Sequence, residues 1–296
     1  EDDLYSDSAT DNGFKTLFRL SKEFEEEVRE LIEDANAAKK QSDENNRRRA
    51  LQHEERRVRR FSSELNEEQE EEKQESYELR NFNDAIVKFV LSGLDNQAAC
   101  IFMPDLVCKV AKDQWLTNES KIETYVDRSL LDIGGEFGLI VHNLDYFPSG
   151  IYKTPIRFLL YYHPAHALKL IVDVFNHCTE AYTNSRRGRE SNIVEVEISH
   201  EDGSNTIQKG NAVLWGIFRG TIATTPYLLQ SILMSLESWL LELCQSDQDW
   251  AEKWIRASYT YLLKNSTSVA VTAVLASVAQ AYPHRVKILC FPILKV

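Results

Sequence analysis

The sequence predicts a mostly α-helical protein in which long charged N-terminal helices precede a compact, HEAT-like helical domain that carries one β-hairpin. Three observations lead to this fold class. From Phe14 to Ser92 the chain has neither glycine nor proline. The stretch from Thr225 to Cys244 is apolar on almost every side of a helical cylinder, as expected of a helix that other helices enclose. Near residues 193–218 the periodicity changes to the alternation of a strand.

Length and charge restrict the class of protein. The 296 residues are 43% hydrophobic, enough for a sizeable core, and the net charge is -12. The first 80 residues hold 24 of the 46 acidic and 15 of the 34 basic side chains, so most of the excess negative charge lies there. This charge makes nucleic acid an unexpected partner and opposes binding to anionic membranes.

The cysteine pattern indicates a reducing compartment. Five cysteines are scattered without a C-x-x-C pair, which favours neither a disulfide framework nor a structural zinc site. The longest uncharged apolar run, residues 266–282, is short for a membrane span, and no signal peptide is visible. We therefore expect a cytoplasmic protein without a membrane partner. Because the chain opens on Glu1 rather than Met, we also expect it to be a fragment of a longer protein.

Residues 1–80 form the first predicted domain, a charged helical hairpin or coiled-coil stalk. One unbroken helix would reach ~120 Å at ~1.5 Å per residue, so we expect two arms that fold back near residues 41–49. The arms either form a dimerising seam or remain a solvated stalk, and the sequence leaves both open. The apolar positions that would form the seam are Leu17, Phe24, Val28, Leu31, Ala35 and Ala38, with Leu51, Val58, Phe61 and Leu65 after a polar gap.

Residues 81–296 form the second predicted domain. Apolar residues predict two short helices that are broken at residues 93–96 and re-entered near Pro104. The glycine-rich run DIGGEFG at residues 132–138 lacks the spacing of a phosphate-binding loop and predicts a turn, so no ATP site is expected. Thr154 and Pro155 then open a helix, and Pro164 starts the next one.

The hairpin is predicted from two strands and a turn. Residues 193–199 (IVEVEIS) alternate apolar and acidic side chains, residues 201–205 (EDGSN) indicate a turn, and residues 212–218 (AVLWGIF) are expected to be the second strand. Packing does not account for the basic loop just before the hairpin, nor for the two glutamates on one strand face. We therefore predict that a protein partner binds Arg186, Arg187, Arg189, Glu195 and Glu197.

Three further helices are predicted to complete the domain. Thr225 is the expected cap of the central helix, with Pro226 at its first position. The next helix places Trp250, Trp254, Ala257 and Tyr261 on one face, which we assign to the core. Ser266 is expected to cap a last Val/Ala-rich helix that runs to Tyr282.

No motif for chemistry is found. His163, His166, His177 and Cys178 are metal-ligand types, but His166 and His177 lie eleven residues apart on one predicted helix, ~16 Å along its axis. Neither a metal nor another cofactor is expected, and no nucleophile elbow or zinc-protease motif is present. Enzyme activity is the alternative hypothesis, and its candidate residues are His142, Asp145, His163 and His166.

Three segments carry a resemblance to a known class of proteins: KTPIRFLLYYHPAHALKLIVDVFNHC (153–178), LWGIFRGT (214–221) and TPYLLQSILMSLESWLLELC (225–244). Together they resemble a helical region of very large bacterial ATP-binding proteins of the STAND type, which are associated with anti-phage defence. The resemblance covers residues 153–282 and assigns no functional residue. It implies a module that senses, scaffolds or couples within a larger ATPase, so we expect a protein-interaction module without a catalytic site of its own.

Overall fold

The computed structural model describes residues 25–56, 82–117, 133–200, 202–219 and 225–286; the side chains of residues 46–56, 133 and 219 are not part of this description. It is mostly helical with one two-stranded antiparallel sheet, which confirms the predicted fold class. The chain divides into two compact units between Leu91 and Ser92. Residues 82–91, which the sequence assigned to the second domain, therefore belong to the first unit.

The first unit contains α1 (Glu25–Arg56) and the helical residues 82–91, α2. An ion pair joins them, with Lys39 Nζ 2.7 Å from Asp84 Oδ1. Helix α1 continues through residues 41–49, so the predicted fold-back there is wrong. Residues 41–49 contain neither glycine nor proline, and they end in three arginines, which are strong helix formers, so nothing in them interrupts the hydrogen-bond ladder.

The predicted seam differs from the buried face of α1. Val28 and Ala35 are buried as expected. Between them the buried residue is Ile32, whereas the predicted Leu31 is only half-buried, and Ala38 is exposed. The buried face follows i, i+4, i+7 spacing through Val28, Ile32 and Ala35, and it therefore includes Ile32 rather than the adjacent Leu31. Leu17, Phe24, Val58, Phe61 and Leu65 lie outside the described residues, and the side chain of Leu51 is not described. Self-association through this helix stays a prediction.

The helices of the second unit pack around its two longest described members. In chain order the elements are α3 (Gln97–Phe102), α4 (Pro104–Trp115), α5 (Ile133–Glu136), a 3-10 turn (Asn143–Tyr146), α6 (Ile156–Tyr162), α7 (Pro164–Asn184), α8 (Arg186–Glu190), β1 (Val194–Ser199), β2 (Asn205–Gly210), α9 (Ala212–Gly216), a second 3-10 turn (Ile217–Arg219), α10 (Tyr227–Gln245), α11 (Asp249–Asn265), α12 (Val269–Ala281) and α13 (Pro283–Val286). The two longest are α7 and α10: α10 contacts α6, α11 and α12, while α7 contacts α4, α6 and α11.

Helix α10 is buried nearly all round, as predicted. Its start differs, because Pro226 has an extended backbone and is the cap, while the Tyr227 N–H donates to Asn143 Oδ1 at 2.8 Å. The capping oxygen thus comes from a residue distant in sequence, and the hydroxyl of Thr225 instead accepts a hydrogen bond from Gln230. The Asn143 side-chain oxygen therefore accepts from a helix-end N–H that a local cap residue would otherwise satisfy.

A polar strip on α10 holds the loop at residues 149–151. Ser235 Oγ donates to the Ile151 carbonyl at 2.9 Å, and Ser231 Oγ accepts from the Gly150 N–H at 3.1 Å. These serines are fully buried, so the strip satisfies loop backbone groups that would otherwise lose water. It explains why polar residues interrupt an otherwise apolar helix.

Two assignments at the C-terminal helices are wrong in detail. The stripe of Trp250, Trp254, Ala257 and Tyr261 does not belong to the core, because Trp250 is 55% exposed, Ala257 is exposed and the other two are half-buried. Helix α11 instead buries the face formed by Ala251, Ile255, Ser258, Tyr259, Leu262 and Leu263. The cap of α12 is Ser268 rather than Ser266, since its side chain accepts from the Ala270 N–H.

Candidate protein-binding surface

The hairpin of β1 and β2 is the candidate site, and its register is defined residue by residue. Val194 pairs with Gly210, Glu195 with Lys209, and Ser199 with Asn205. The second strand therefore begins directly after the turn, and the predicted second strand at residues 212–218 is wrong. That segment is α9 with the following 3-10 turn, because the Asn211 side chain accepts from the Leu214 N–H and caps a helix there.

The turn is closed by local hydrogen bonds. The Gly203 N–H donates to the His200 carbonyl, and the His200 N–H donates to the Ser204 carbonyl. Gly203 has a φ of 81°, a backbone conformation that residues other than glycine and asparagine rarely adopt. Asp202 accepts from Lys264 and from Ser204, and these hydrogen bonds hold the pKa of its carboxyl far below the usual range. The tip of the hairpin is thereby tied to the end of α11.

The inner face of the hairpin is anchored on α11 and α12. Ile198 is 1% exposed, and Gln208, which points inward from β2, is fully buried. Gln208 Nε2 donates to the Ser266 carbonyl at 3.1 Å, while its Oε1 accepts from Thr272 Oγ1 at 2.7 Å. Both ends of a buried amide are therefore satisfied, which fixes the strand against the helices.

The outward edge of β2 is also bonded. The Lys209 N–H donates to the Thr267 carbonyl at 2.8 Å, and on the inner side Thr206 Oγ1 donates to the Lys264 carbonyl at 3.1 Å. At Gly210 a Cβ atom would lie 2.5 Å from Val269 Cγ1, so only glycine allows the strand to approach α12 this closely. The hairpin is consequently seated by its inner face and by one edge.

The outer face of the hairpin is open and mostly charged. Glu195 and Glu197 are exposed, and Ile207, directly opposite Glu197, is 54% exposed. Lys209 lies opposite Glu195 but pairs with Glu180 on α7, with 2.6 Å between Nζ and Oε2. The hydrogen bond from Lys209 lowers the pKa of the Glu180 carboxyl. The Glu195 carboxylate has no ion-pair partner among the described side chains.

The remaining edge of β1 has no strand beside it in the described part of the chain. The His200 N–H points toward β2, and the period of two along a strand then directs the N–H groups of Ile198 and Val196 the same way. The N–H and C=O groups of Glu195, Glu197 and Ser199 point to the opposite side. The outward Lys209 N–H, opposite Glu195, agrees with this alternation.

The three predicted arginines lie on α8, so the basic loop of the sequence prediction is a turn of helix. Arg186 Nε pairs with Glu190 Oε1 at 2.9 Å, and the Arg187 guanidinium lies 3.5 Å from Glu136 Oε2. Arg189 is exposed. Arg186 thus pairs within α8 and Arg187 with α5, and a role of the three arginines in binding stays a prediction.

The residues of the enzyme alternative lie on different elements. His142 and Asp145 are exposed at the 3-10 turn, where the Asp145 N–H donates to the His142 carbonyl. His163 and His166 lie at the junction of α6 and α7, with ring centroids 5.9 Å apart, and His163 Nε2 is 2.8 Å from the Ile101 carbonyl. Among described residues, no three His, Cys, Asp or Glu side chains form a metal-binding group.

The cysteines described are free thiols in protected positions. Cys100 and Cys178 are buried, and burial raises the pKa of each thiol above its ordinary value. Burial likewise raises the pKa of the Cys108 thiol to about 12. Burial therefore opposes formation of the thiolates that nucleophilic chemistry would use.

Sequence reasoning missed Ile207 and Lys209, which share the outer face with the predicted glutamates. The signal was present, because a turn centred on Asp202 and Gly203 places the second strand immediately after it. Asn211 is also a helix-cap residue in front of an apolar run, and it marked residues 212–216 as helix.

No helix in the described ranges is long and apolar enough to span a membrane. No protein-family model matches the chain, and no curated protein matches it.

Proposed function

We propose that this chain is a protein-interaction module, a sensor or scaffold that recognises a partner through the outer face of its hairpin. The observation that carries the proposal is the two-sided character of the hairpin. Gln208 and Ile198 fix its inner face, while Glu195, Glu197 and Ile207 remain exposed on its outer face. Irregular insertions held rigidly on a helical scaffold are common binding elements.

The wider context that we propose is a cytoplasmic, STAND-type bacterial defence protein, in which this module would couple partner recognition to an ATPase elsewhere. The support is the resemblance of residues 153–282 to the helical regions of such proteins. In the described structure this stretch runs from the start of α6 to the end of α12 and includes the hairpin. Reading the natural gene on both sides of the chain tests the context, since a flanking phosphate-binding loop is expected.

Site-specific photocrosslinking tests the interaction. A photoreactive amino acid at Glu197, in the cells from which the chain comes, should capture a discrete protein that mass spectrometry identifies. The matched control is the same amino acid at Lys169, an exposed position on α7. Capture of one protein at Glu197 and not at Lys169 supports the proposal, whereas equal capture at both positions contradicts it.

The arginines on α8 provide a second test of the same surface. Replacement of Arg186 and Arg189 by alanine should change the free energy of unfolding by less than about 0.5 kcal/mol, because exposed ion pairs contribute little. Arg187→Ala also removes the contact with Glu136. If the triple variant Arg186→Ala, Arg187→Ala, Arg189→Ala captures less of the partner at Glu197, α8 is part of the binding surface. Unchanged capture would exclude α8 from it.

A further inference from the structure

We infer that the open edge of β1 binds an extended segment of a partner protein in which basic and apolar residues alternate. This inference rests on the proposed function and names the chemistry of its partner. The occupant would add a third strand to the hairpin, a mode in which backbone hydrogen bonds supply affinity and alternate side chains supply specificity.

The backbone of β1 supplies the first argument. Glu195, Glu197 and Ser199 direct their N–H and C=O groups away from β2, toward an edge that no described strand occupies. Such a row of donors and acceptors is a template for another strand. A segment of about five residues in the extended conformation can use all three positions.

The charge of the edge selects the segment. In an added strand, the residues opposite Glu195 and Glu197 lie on the same outer face as these two exposed carboxylates. Lysine or arginine at those positions would form cross-strand pairs with the two glutamates. A second copy of β1 would place glutamates opposite one another, so charge repulsion opposes self-pairing.

The other face supplies the apolar half of the pattern. Val194 is 47% exposed and Val196 is half-buried, although both lie on the inner side of the strand with the buried Ile198. An apolar residue between two basic residues of the added strand would cover these valines. The segment expected is therefore the basic counterpart of the VEVE sequence at residues 194–197.

Anchoring makes the edge ready to bind. Isolated two-stranded hairpins are marginal in water, but this one is held by Gln208 on its inner face and by the Lys209 N–H at its far edge. The strand is thus already extended before a partner arrives, which reduces the entropy lost on binding.

Fluorescence anisotropy with short capped peptides tests the inference. The probe is a labelled Lys-Val-Lys-Val-Lys peptide, and its controls are Glu-Val-Glu-Val-Glu and a Lys-Lys-Lys-Val-Val peptide of the same composition. Saturable binding of the alternating basic peptide, on the order of tenfold tighter than that of either control, is expected. Equal binding of the two basic peptides would reduce the effect to net charge and overturn the inference.

N-methylation distinguishes strand addition from other modes. A strand beside β1 turns only alternate N–H groups toward the edge, so methylation of one alternate set should weaken binding on the order of tenfold and methylation of the other should not. The sensitive set also reports the strand direction. Equal effects of both methylated series would overturn the inference.

Charge reversal connects the peptide to the named residues. The double variant Glu195→Lys, Glu197→Lys should exchange the preference of the protein from the basic to the acidic alternating peptide, while its far-UV circular dichroism is unchanged. An unaltered preference overturns the inference. If no peptide binds but Glu197 still captures a protein by photocrosslinking, strand addition fails and the proposed function stands; if both fail, the proposed function also fails.

Discussion

Gln208→Leu is expected to destabilise the second unit strongly, although it exchanges a polar for an apolar residue of similar size in a buried position. Gln208 is fully buried, accepts from Thr272 and donates to the Ser266 carbonyl. Leucine leaves both partners without that bond. Each buried unsatisfied group costs about 1–3 kcal/mol, so we expect a loss of about 2–4 kcal/mol in the free energy of unfolding.

Tryptophan fluorescence during urea unfolding measures this loss in the second unit alone. All five tryptophans of the chain lie after residue 92. The matched control is Ile207→Thr at the adjacent, 54% exposed position, where the change should remain below about 0.5 kcal/mol. Adding Thr272→Val to Gln208→Leu should recover part of the loss, because the orphaned hydroxyl is then removed.

The outcome decides whether the hairpin is seated as described. If Gln208→Leu is no more destabilising than Ile207→Thr, the amide is not part of the packed interface between β2 and α12. A loss that the Thr272→Val change does not reduce would show that packing volume, and not hydrogen bonding, dominates at this position.

Three further predictions follow from local geometry. Gly138→Ala should destabilise the protein by about 1–3 kcal/mol in urea unfolding, and by more than Gly203→Ala. Both glycines have positive φ, but only at Gly138 would a Cβ lie 2.8 Å from other side chains, so equal losses would contradict this prediction. Burial raises the pKa of the Cys108 thiol to about 12, so its alkylation at pH 8 should be slower than that of an unperturbed thiol by on the order of a thousandfold. Mass spectrometry maps the modified cysteine, and alkylation at the ordinary rate would refute the burial. Because the pKa of Glu180 is lowered in the folded state, its carboxylate stabilises the fold above the pKa of an unfolded glutamate, and this stability is lost as pH falls through the folded pKa. Glu180→Gln should therefore flatten the acid side of the plot of unfolding free energy against pH, and a slope as steep as in the unsubstituted chain would count against the pair with Lys209.

The buried helices could be predicted from the sequence, because the residue patterns that form them are local. The apolar cylinder of α10 and the proline that begins α7 follow from spacing and backbone restriction alone. Tertiary contacts decided the details. The cap of α10 comes from Asn143, which is distant in sequence and which no local pattern reveals.

The second strand shows why an apolar pattern can mislead. Strand β2 turns Thr206, Gln208 and Gly210 toward the helices and Ile207 toward solvent, the reverse of the usual alternation. Its inward polar groups are satisfied by carbonyls and a hydroxyl of α11, α12 and the segment between them, partners that exist only in the folded chain. The exposure of Glu195 and Glu197 could be predicted from the sequence because it follows from the simple alternation in β1.

Residue-resolved amide hydrogen exchange along β1 tests the central claim most directly. In the chain alone, the N–H groups of Val196 and Ile198 should exchange slowly, while those of Glu197 and Ser199 should exchange fast. Addition of the alternating basic peptide should slow the fast pair and leave the slow pair unchanged. Uniformly slow exchange in the chain alone would show that the edge is already covered, and uniformly fast exchange would show that the hairpin is not anchored; either result would contradict an open strand edge held for a partner.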